Sequence, residues 1–478
     1  MERKKRGYHP HKMKLVPRKP TDAEPELIKK IFNFAHSVVN FKNVPINWGK
    51  GTRGPKPGNP NALLAVWIYG YAHGNNMGRS LTKELKRNRD LQYLSKGALF
   101  SFSELNKFRC ILVSCLDELL EMFTNYEGDP EGSLSIDGSR MECAGSHYQF
   151  RKVKDLFRLQ GRHFKKRNNK RAFEYKRAID YSNVHPDIQT VNLREHDARV
   201  ITHRGSSVLG YILLAISDQR RRIYGFRVYG RNREIPVTIG FLEFVERFID
   251  LNGKELLCDR EYFDGLTLKY FADKGINAYV STKESGTVNK QKLAGRYTKE
   301  DFMYDRVKDV YICPEGNILT FKRIKDKGKK NRVKTPQIVY QCTDCPGCSK
   351  KSKCLSPKGK YRELIRQEGT AAAEAMEIKM SKPSNRKYAF GKRRTSIEPV
   401  FSGIKDEKQG DIHRFILKGK EKVNIEALLM CIAFVLKLND NNKDDDDFSP
   451  DTVSVAIGIM MIFFNDFLSK SSNLKKTI

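Results

Sequence analysis

The sequence predicts a mixed α/β core, preceded by a helical domain and interrupted by a cysteine-bearing insertion. Three observations lead there. Segments before residue 125 repeat apolar residues at helical spacing. From residue 133, short apolar strands alternate with helices. Residues 285–385 are Lys-rich, hold a tight cysteine cluster and break that alternation. At 478 residues the chain has room for about two to four domains of ordinary size.

The charge bounds the function. Lys and Arg number 89 against 56 Asp and Glu, a formal net charge of +33. Hydrophobic residues at 39% and a mean hydropathy of −0.59 exclude a polytopic membrane protein, and the charge excess predicts a polyanionic partner, nucleic acid first. Residues 1–19 are basic with no apolar segment, so no signal peptide is read there and a cytoplasmic setting is expected. The apolar run 452–464 is shorter than the ~20 residues of a membrane span and reads as a buried or tail helix.

Residues 1–20 read as a flexible basic arm. Residues 21–130 read as a helical DNA-binding domain, although the pattern fits an ordinary helical bundle equally well. The segment 62–72 (ALLAVWIYGYA) is apolar enough for a buried helix. Ser101 and Glu104 have capping-box spacing, and Leu105, Phe108, Leu112, Cys115, Leu119 and Phe123 then recur at three- and four-residue steps. Residues 133–137 (SLSID) read as a short strand ending in an acid. Residues 151–177, with twelve Lys and Arg against Asp155 and Glu174, read as an inserted basic loop within 145–205. Segments 211–217 and 222–229 pair as strands across the turn 218–221. A helix over 238–249, a strand over 255–258, a helix over 266–274 and a strand over 276–280 complete the first part of the core, 131–284. Residues 285–390 form the insertion. Residues 391–440, with a helix from about 399 to 407 and a long buried helix over 423–438, form the last part of the core. Residues 441–478 are an acidic run and an apolar tail.

The chemistry lies in the carboxylates. Asp137 and Asp259 each follow a short apolar strand, and ligands of open α/β sheets bind beyond strand ends. Paired carboxylates suit hard, oxygen-seeking ions such as Mg²⁺ or Mn²⁺. Two such ions would activate the attacking oxygen and stabilise the leaving oxygen of a phosphodiester. Either acid alone would serve equally as a turn or cap residue. A third acid comes from 392–405 (KRRTSIEPVFSGIK), where Ile397, Val400, Phe401 and Ile404 make an apolar helix face. Arg394, Glu398, Ser402 and Lys405 form a second stripe beside it. That stripe would present Glu398 to metal, with Arg394 and Lys405 gripping phosphates.

Arg394, Glu398 and Lys405 have the spacing Arg-x3-Glu-x6-Lys. This resembles the C-terminal signature of insertion-sequence DDE transposases of bacteria and archaea, in the group with a Tyr-Arg-Glu-Lys motif. Ile136–Asp137–Gly138–Ser139, Asp259–Arg260–Glu261–Tyr262, and the stretch 62–108 with WIYGYAHG and FSELNKFR resemble the same group. The cysteine cluster between the second Asp and the Glu is also familiar from some members. The resemblance spans about residues 60–438. It implies a ribonuclease-H-like catalytic core with Asp137, Asp259 and Glu398 as ligands of two Mg²⁺ or Mn²⁺ ions. It also implies double-stranded DNA, element ends and target, as substrate, and a homo-oligomer on that DNA. Two positions depart from the group. Gly391 stands where its Tyr would fall, with Tyr388 out of register. Glu261 stands where a Gly is common; it would either add to the metal site or face solvent, and solvent is expected.

Cys342-x2-Cys345-x2-Cys348-x5-Cys354 suits a tetrahedral zinc site that would fold a segment lacking a core. Cys313 is an alternative ligand, and an iron–sulfur cluster or free thiols are the competing readings. The basic runs 151–177, with Lys165, Lys166 and Arg167, and 322–334 would follow a DNA backbone. The functional reading is a DNA transposase that cuts its element ends and transfers strands. The competing readings are a catalytically decayed nucleic-acid-binding relative, favoured by Gly391 and Glu261, and a nuclease that cleaves without joining.

Overall fold

The computed structural model describes residues 25–438, apart from 43, 45, 47, 49–56, 204–205, 283–293, 326–335, 357 and 406–413. The expected arm 1–20, the acidic run and apolar tail 441–478, and the 326–334 part of the second basic run lie outside the described residues. No described helix is long and apolar enough to cross a membrane.

Six helices open the described chain: α1 (Pro25–Asn33), α2 (Pro60–Ala72), α3 (Gly78–Glu84), α4 (Arg89–Leu94), α5 (Phe102–Ile111) and α6 (Leu116–Glu127). Helix α2 is apolar on every side, so it must be buried on every side, and Ala62 through Ala72 all lie in the core. It starts where expected for its chemistry: the Asn59 side chain accepts from the Asn61 and Ala62 amides, and Pro60 holds the first position. Ser101 caps α5 by accepting from the Glu104 amide at 3.2 Å. The Glu104 carboxylate does not return to the cap. It accepts from the Gly58 amide at 2.6 Å and ties the approach to α2 onto α5.

The main sheet is centred on β1 (Leu134–Glu142), which pairs antiparallel with β5 (Ser206–Ser217). On its far side β5 pairs antiparallel with β4 (Arg199–His203) and β6 (Ile223–Tyr229). On the other side β1 runs parallel to β7 (Glu255–Cys258), and β7 to β8 (Asn277–Val280). The parallel contact of β1 with β7 is short: Leu134 faces Leu256, Ser135 faces Leu257, and the pairing ends. Strand β1 is longer than its first five residues suggest. Asp137 is its fourth residue and not its last, because twelve-residue β5 keeps its partner extended as far as Glu142.

The basic segment expected as a loop is a helical hairpin. Helices α7 (Leu156–Lys165) and α8 (Asn169–Val184) stand on a two-stranded ribbon, β2 (Phe150–Lys152) and β3 (Thr190–Asn192). A local core of Leu156, Tyr175, Ala178, Ile179, Val191 and Leu193 holds it. The dense cations hid the three- and four-residue apolar spacing that builds this core. The hairpin turns through Arg167 in the left-handed region (φ 54°), with the Arg167 amide on the Phe164 carbonyl and the Asn168 amide on the His163 carbonyl. This is the helix-ending motif that usually takes Gly. Lys165, Lys166 and Arg167 are exposed at its tip.

Helix α9 (Ile235–Val245) links β6 to β7, and α10 (Gly265–Asp273) links β7 to β8. After β8 the chain builds a five-stranded antiparallel sheet. Its strands are β9 (Met303–Asp305), β10 (Val310–Ile312), β11 (Ile318–Lys325), β12 (Gln337–Cys342) and β13 (Glu363–Gln367), with the short helix α11 (Lys351–Cys354) between the last two. The chain re-enters the core at Gly369, whose φ of +81° and contact with the Gly265 backbone leave no room for a side chain. Helices α12 (Thr370–Ser381) and α13 (Pro383–Thr395) then pack on β7 and β8, and α14 (Ile397–Ile404) packs on β1 and β5. The long α15 (Lys420–Lys437) is buried against α2 and β6.

Candidate active site

Sheet register brings the first two acids together. Asp137 and Asp259 each lie two residues beyond the last parallel pair, Ser135 and Leu257, where β1 and β7 part. The Asp259 side chain accepts from the Glu261 amide at 2.6 Å and so caps the turn Arg260–Tyr262. Glu261 itself is exposed, as expected.

The third acid arrives through a kink. The helix expected from about 399 to 407 begins at Ile397, after a break at Ser396 (φ −99°, ψ −83°) that separates α13 from α14. Pro399 has no amide hydrogen to offer the Thr395 carbonyl four residues back, and its ring crowds that carbonyl. Arg221 takes it instead, donating from Nε at 3.2 Å. The apolar face is as read, with Ile397, Val400, Phe401 and Ile404 buried, but the stripe running through Arg394, Glu398 and Lys405 does not continue across the break. At the kink the Ser396 hydroxyl lies 2.7 Å from the Ser135 hydroxyl, both fully buried. Ser135 is two residues before Asp137 and Ser396 two before Glu398, so this one contact fixes α14 against β1 beside the acids. Glu398 is exposed in the first turn of α14, the helix end that favours negative charge.

The electrostatics link the three segments. Burial pushes the Asp137 carboxyl up to about 6; the Arg393 charge opposes this, and the charges of Asp259 and Glu398 add to it. Arg393, not Arg394, makes the contact, with its guanidinium 2.7 Å from Asp137 Oδ2. The other carboxylate oxygen accepts from the Gly138 amide at 2.8 Å. Arg394 is exposed. Lys405 is half-buried and donates to the Arg140 carbonyl at 2.7 Å, and burial draws its ammonium down to about 8. Tyr388 donates to Glu255 at 2.6 Å, away from the acids.

One acid of the group has no signature in the sequence. Glu234, just before α9, lays its carboxyl where a Cβ on Gly138 would stand. Burial pushes it up to about 7; the neighbouring Tyr262 opposes this, and the charges of Asp137, Asp259 and Glu261 add to it. The only local hint was an acid ahead of Ile235–Pro236 at a helix start, which is a common pattern. The shift has a consequence for stability. A carboxyl raised in the folded state keeps its proton where the unfolded chain has lost it, so its burial becomes more costly as pH rises from about 4.5 to 7. In chelator, Glu234→Gln is expected to gain about 2–3 kcal/mol on the wild type between those pH values, read by urea unfolding. A constant gap would mean that Glu234 titrates normally.

The cysteines gather elsewhere. Cys313, Cys342, Cys345, Cys348 and Cys354 line one small cavity with Phe302 and Arg362. All ten cysteines of the chain are free thiols. Burial pushes Cys342 up to about 11 and raises Cys354, while the Arg362 charge pulls Cys354 down. Among the described residues, no three His, Cys, Asp or Glu side chains converge closely enough to hold one ion as they stand.

No curated protein matches the chain. Among solved structures it is similar to a piggyBac transposase in a synaptic complex with hairpin DNA, at 10% identity and a TM-score of 0.28, over 91% of this chain and 88% of that one. A likeness that slight carries no argument about this chain. Residues 312–438 match the family model described as "Transposase DDE domain". The matched span holds the five cavity-lining cysteines, Arg393, Glu398 and Lys405, and it leaves out Asp137, Glu234 and Asp259. This part of the chain is therefore similar to a transposase DDE domain.

Proposed function

We propose that the chain is a DNA transposase that cuts the ends of its own element and joins them to target DNA. The finer reading is an insertion-sequence enzyme of the Tyr-Arg-Glu-Lys group with a ribonuclease-H-like core. What supports it is placement: Asp137 and Asp259 lie where β1 and β7 part, and the Ser135–Ser396 contact sets α14, with Glu398 in its first turn, against β1. The sheet order supports the core: antiparallel strands on one side of β1 and parallel strands on the other.

Asp137, Asp259 and Glu398 would hold Mg²⁺ or Mn²⁺. The donor set is all hard oxygen, which fits such an ion. When bound, two ions supply activation of the attacking oxygen and stabilisation of the leaving oxygen. Arg393 neutralises Asp137 until then. Arg394 and the exposed tip Lys165, Lys166 and Arg167 would contact phosphates of double-stranded DNA, with a homo-oligomer assembling on the element ends. Lys405, committed to the Arg140 carbonyl, would brace α14 against β1. Cys342, Cys345, Cys348 and Cys354, with Cys313 beside them, would hold a structural Zn²⁺ that closes the five-stranded sheet.

A second reading, a decayed DNA-binding relative, is favoured by one contact. Both Asp137 oxygens are already engaged, one by Gly138 and one by Arg393. The full chain with Mg²⁺ and a pre-cut 3′-OH end of the flanking inverted repeat separates the readings. Joining to target DNA supports the transposase. Cleavage without joining would make it a nuclease, and binding alone the decayed form.

A further inference from the structure

We propose that Glu234 is a fourth carboxylate of the metal site, acting with Asp137 and Asp259 on a divalent cation, and that Tyr262 is its positioning residue. The inference rests on the metal-site reading above and extends it.

The first ground is placement. Glu234 sits at the N-terminus of α9, yet its side chain makes no capping hydrogen bond to that helix. It reaches to β1, and its carboxyl fills the space beside Gly138, the residue after Asp137. Any side chain at 138 would evict it. A glycine in the middle of a strand weakens the strand, and here it admits a carboxylate from another element. The second ground is the shortage of partners. Glu234 Oε2 and the hydroxyl of Tyr262, whose side chain is 1% exposed, are buried against each other, and neither has a further polar partner among the described residues. Glu234 makes no ion pair among the described residues. Tyr262 ends the turn that Asp259 caps, so the same short segment delivers Asp259 and the hydroxyl beside Glu234. A buried carboxyl whose one polar neighbour is a phenol, set beside two further carboxylates, is a group that a divalent cation would engage.

The test is Mn²⁺ binding to the full, chelator-stripped chain, followed by electron paramagnetic resonance of free Mn²⁺, for wild type, Glu234→Gln, Glu234→Asp, Tyr262→Phe and Asp259→Asn. Glu234→Gln is expected to weaken Mn²⁺ at least tenfold while melting no earlier than wild type in chelator at pH 7.5. Tyr262→Phe is expected to weaken it less. A merely structural glutamate would do the reverse, lowering the melting temperature and leaving Mn²⁺ affinity unchanged; that result overturns the proposal. Should Glu234→Gln fold poorly, Glu234→Asp, which keeps the charge but withdraws it, must still lower affinity. Loss of Mn²⁺ in Asp259→Asn with wild-type binding in both Glu234 variants overturns the role of Glu234 and leaves the site reading standing. Absence of saturable Mn²⁺ in the wild type overturns both.

Discussion

Asp259→Asn is expected to lower strand transfer by about a thousandfold or more while leaving the fold intact. The first half follows from charge. A carboxylate that helps hold a catalytic metal contributes several kcal/mol to stabilising the transition state, and each 1.36 kcal/mol is about a factor of ten in rate. The second half follows from shape. The structural task of Asp259 is to accept from the Glu261 amide through Oδ1, and an asparagine carbonyl can accept the same bond. Unfolding should therefore shift by about 0.5 kcal/mol or less. DNA binding in chelator should hold or tighten, because a negative charge facing phosphate is removed. The three measurements are joining of a labelled pre-cut end, a urea melt and a filter-binding titration. Joining at the wild-type rate would sink the assignment of Asp259. A collapsed melt would move the effect from chemistry to the turn Arg260–Tyr262.

What the sequence made legible here was local, and what it missed was mostly a contact between distant segments. The acids at 137, 259 and 398 stood out because each sits in a short apolar context that periodicity can detect. The buried face of α14 was readable for the same reason. The break before it was half-readable: Pro399 announces a missing amide, but only Arg221, far along the chain, shows how the stranded Thr395 carbonyl is satisfied. The Ser135–Ser396 contact has no local signal, since two serines in apolar segments suggest nothing until the sheet and the kink bring them to 2.7 Å. Glu234 was invisible because its partner is the empty side of a glycine. Arg393 and Arg394 are indistinguishable as a dipeptide, and helix phase alone decides which one meets Asp137. The hairpin of α7 and α8 was misread because composition outweighed spacing. Twelve cations suggested a loop, while Leu156, Leu159, Tyr175, Ala178 and Ile179 were building a small core beneath them.

Glu426→Ala is expected to cost about 3–5 kcal/mol of folding stability, a large share of what a domain has. Glu426 is 1% exposed on α15. Its carboxylate accepts from the Tyr71 hydroxyl at 3.0 Å and from the Ile416 and Leu417 amides at 2.9 and 2.7 Å. It also stands 3.9 Å from the Arg109 guanidinium. Arg109 is 2% exposed, lies 4.0 Å over the Trp67 ring, and donates to the Tyr71 hydroxyl and the Asn76 carbonyl. One buried acid thus ties the N-terminal helices α2 and α5 to the helix that packs on β6 of the main sheet. Removing it strands a buried cation and two backbone amides together, and an uncompensated charge dominates that sum. The sign of the coupling separates charge from packing. Arg109→Met with Glu426→Met removes both charges while keeping bulk, and it should recover much of the loss that either single change causes. Urea unfolding of the four species closes the cycle. A single-variant loss below about 1 kcal/mol would mean that water reaches Arg109 when its partner leaves. The apolar face of α15 and the contacts of α6 with β6 would then carry the join between these helices and the sheet.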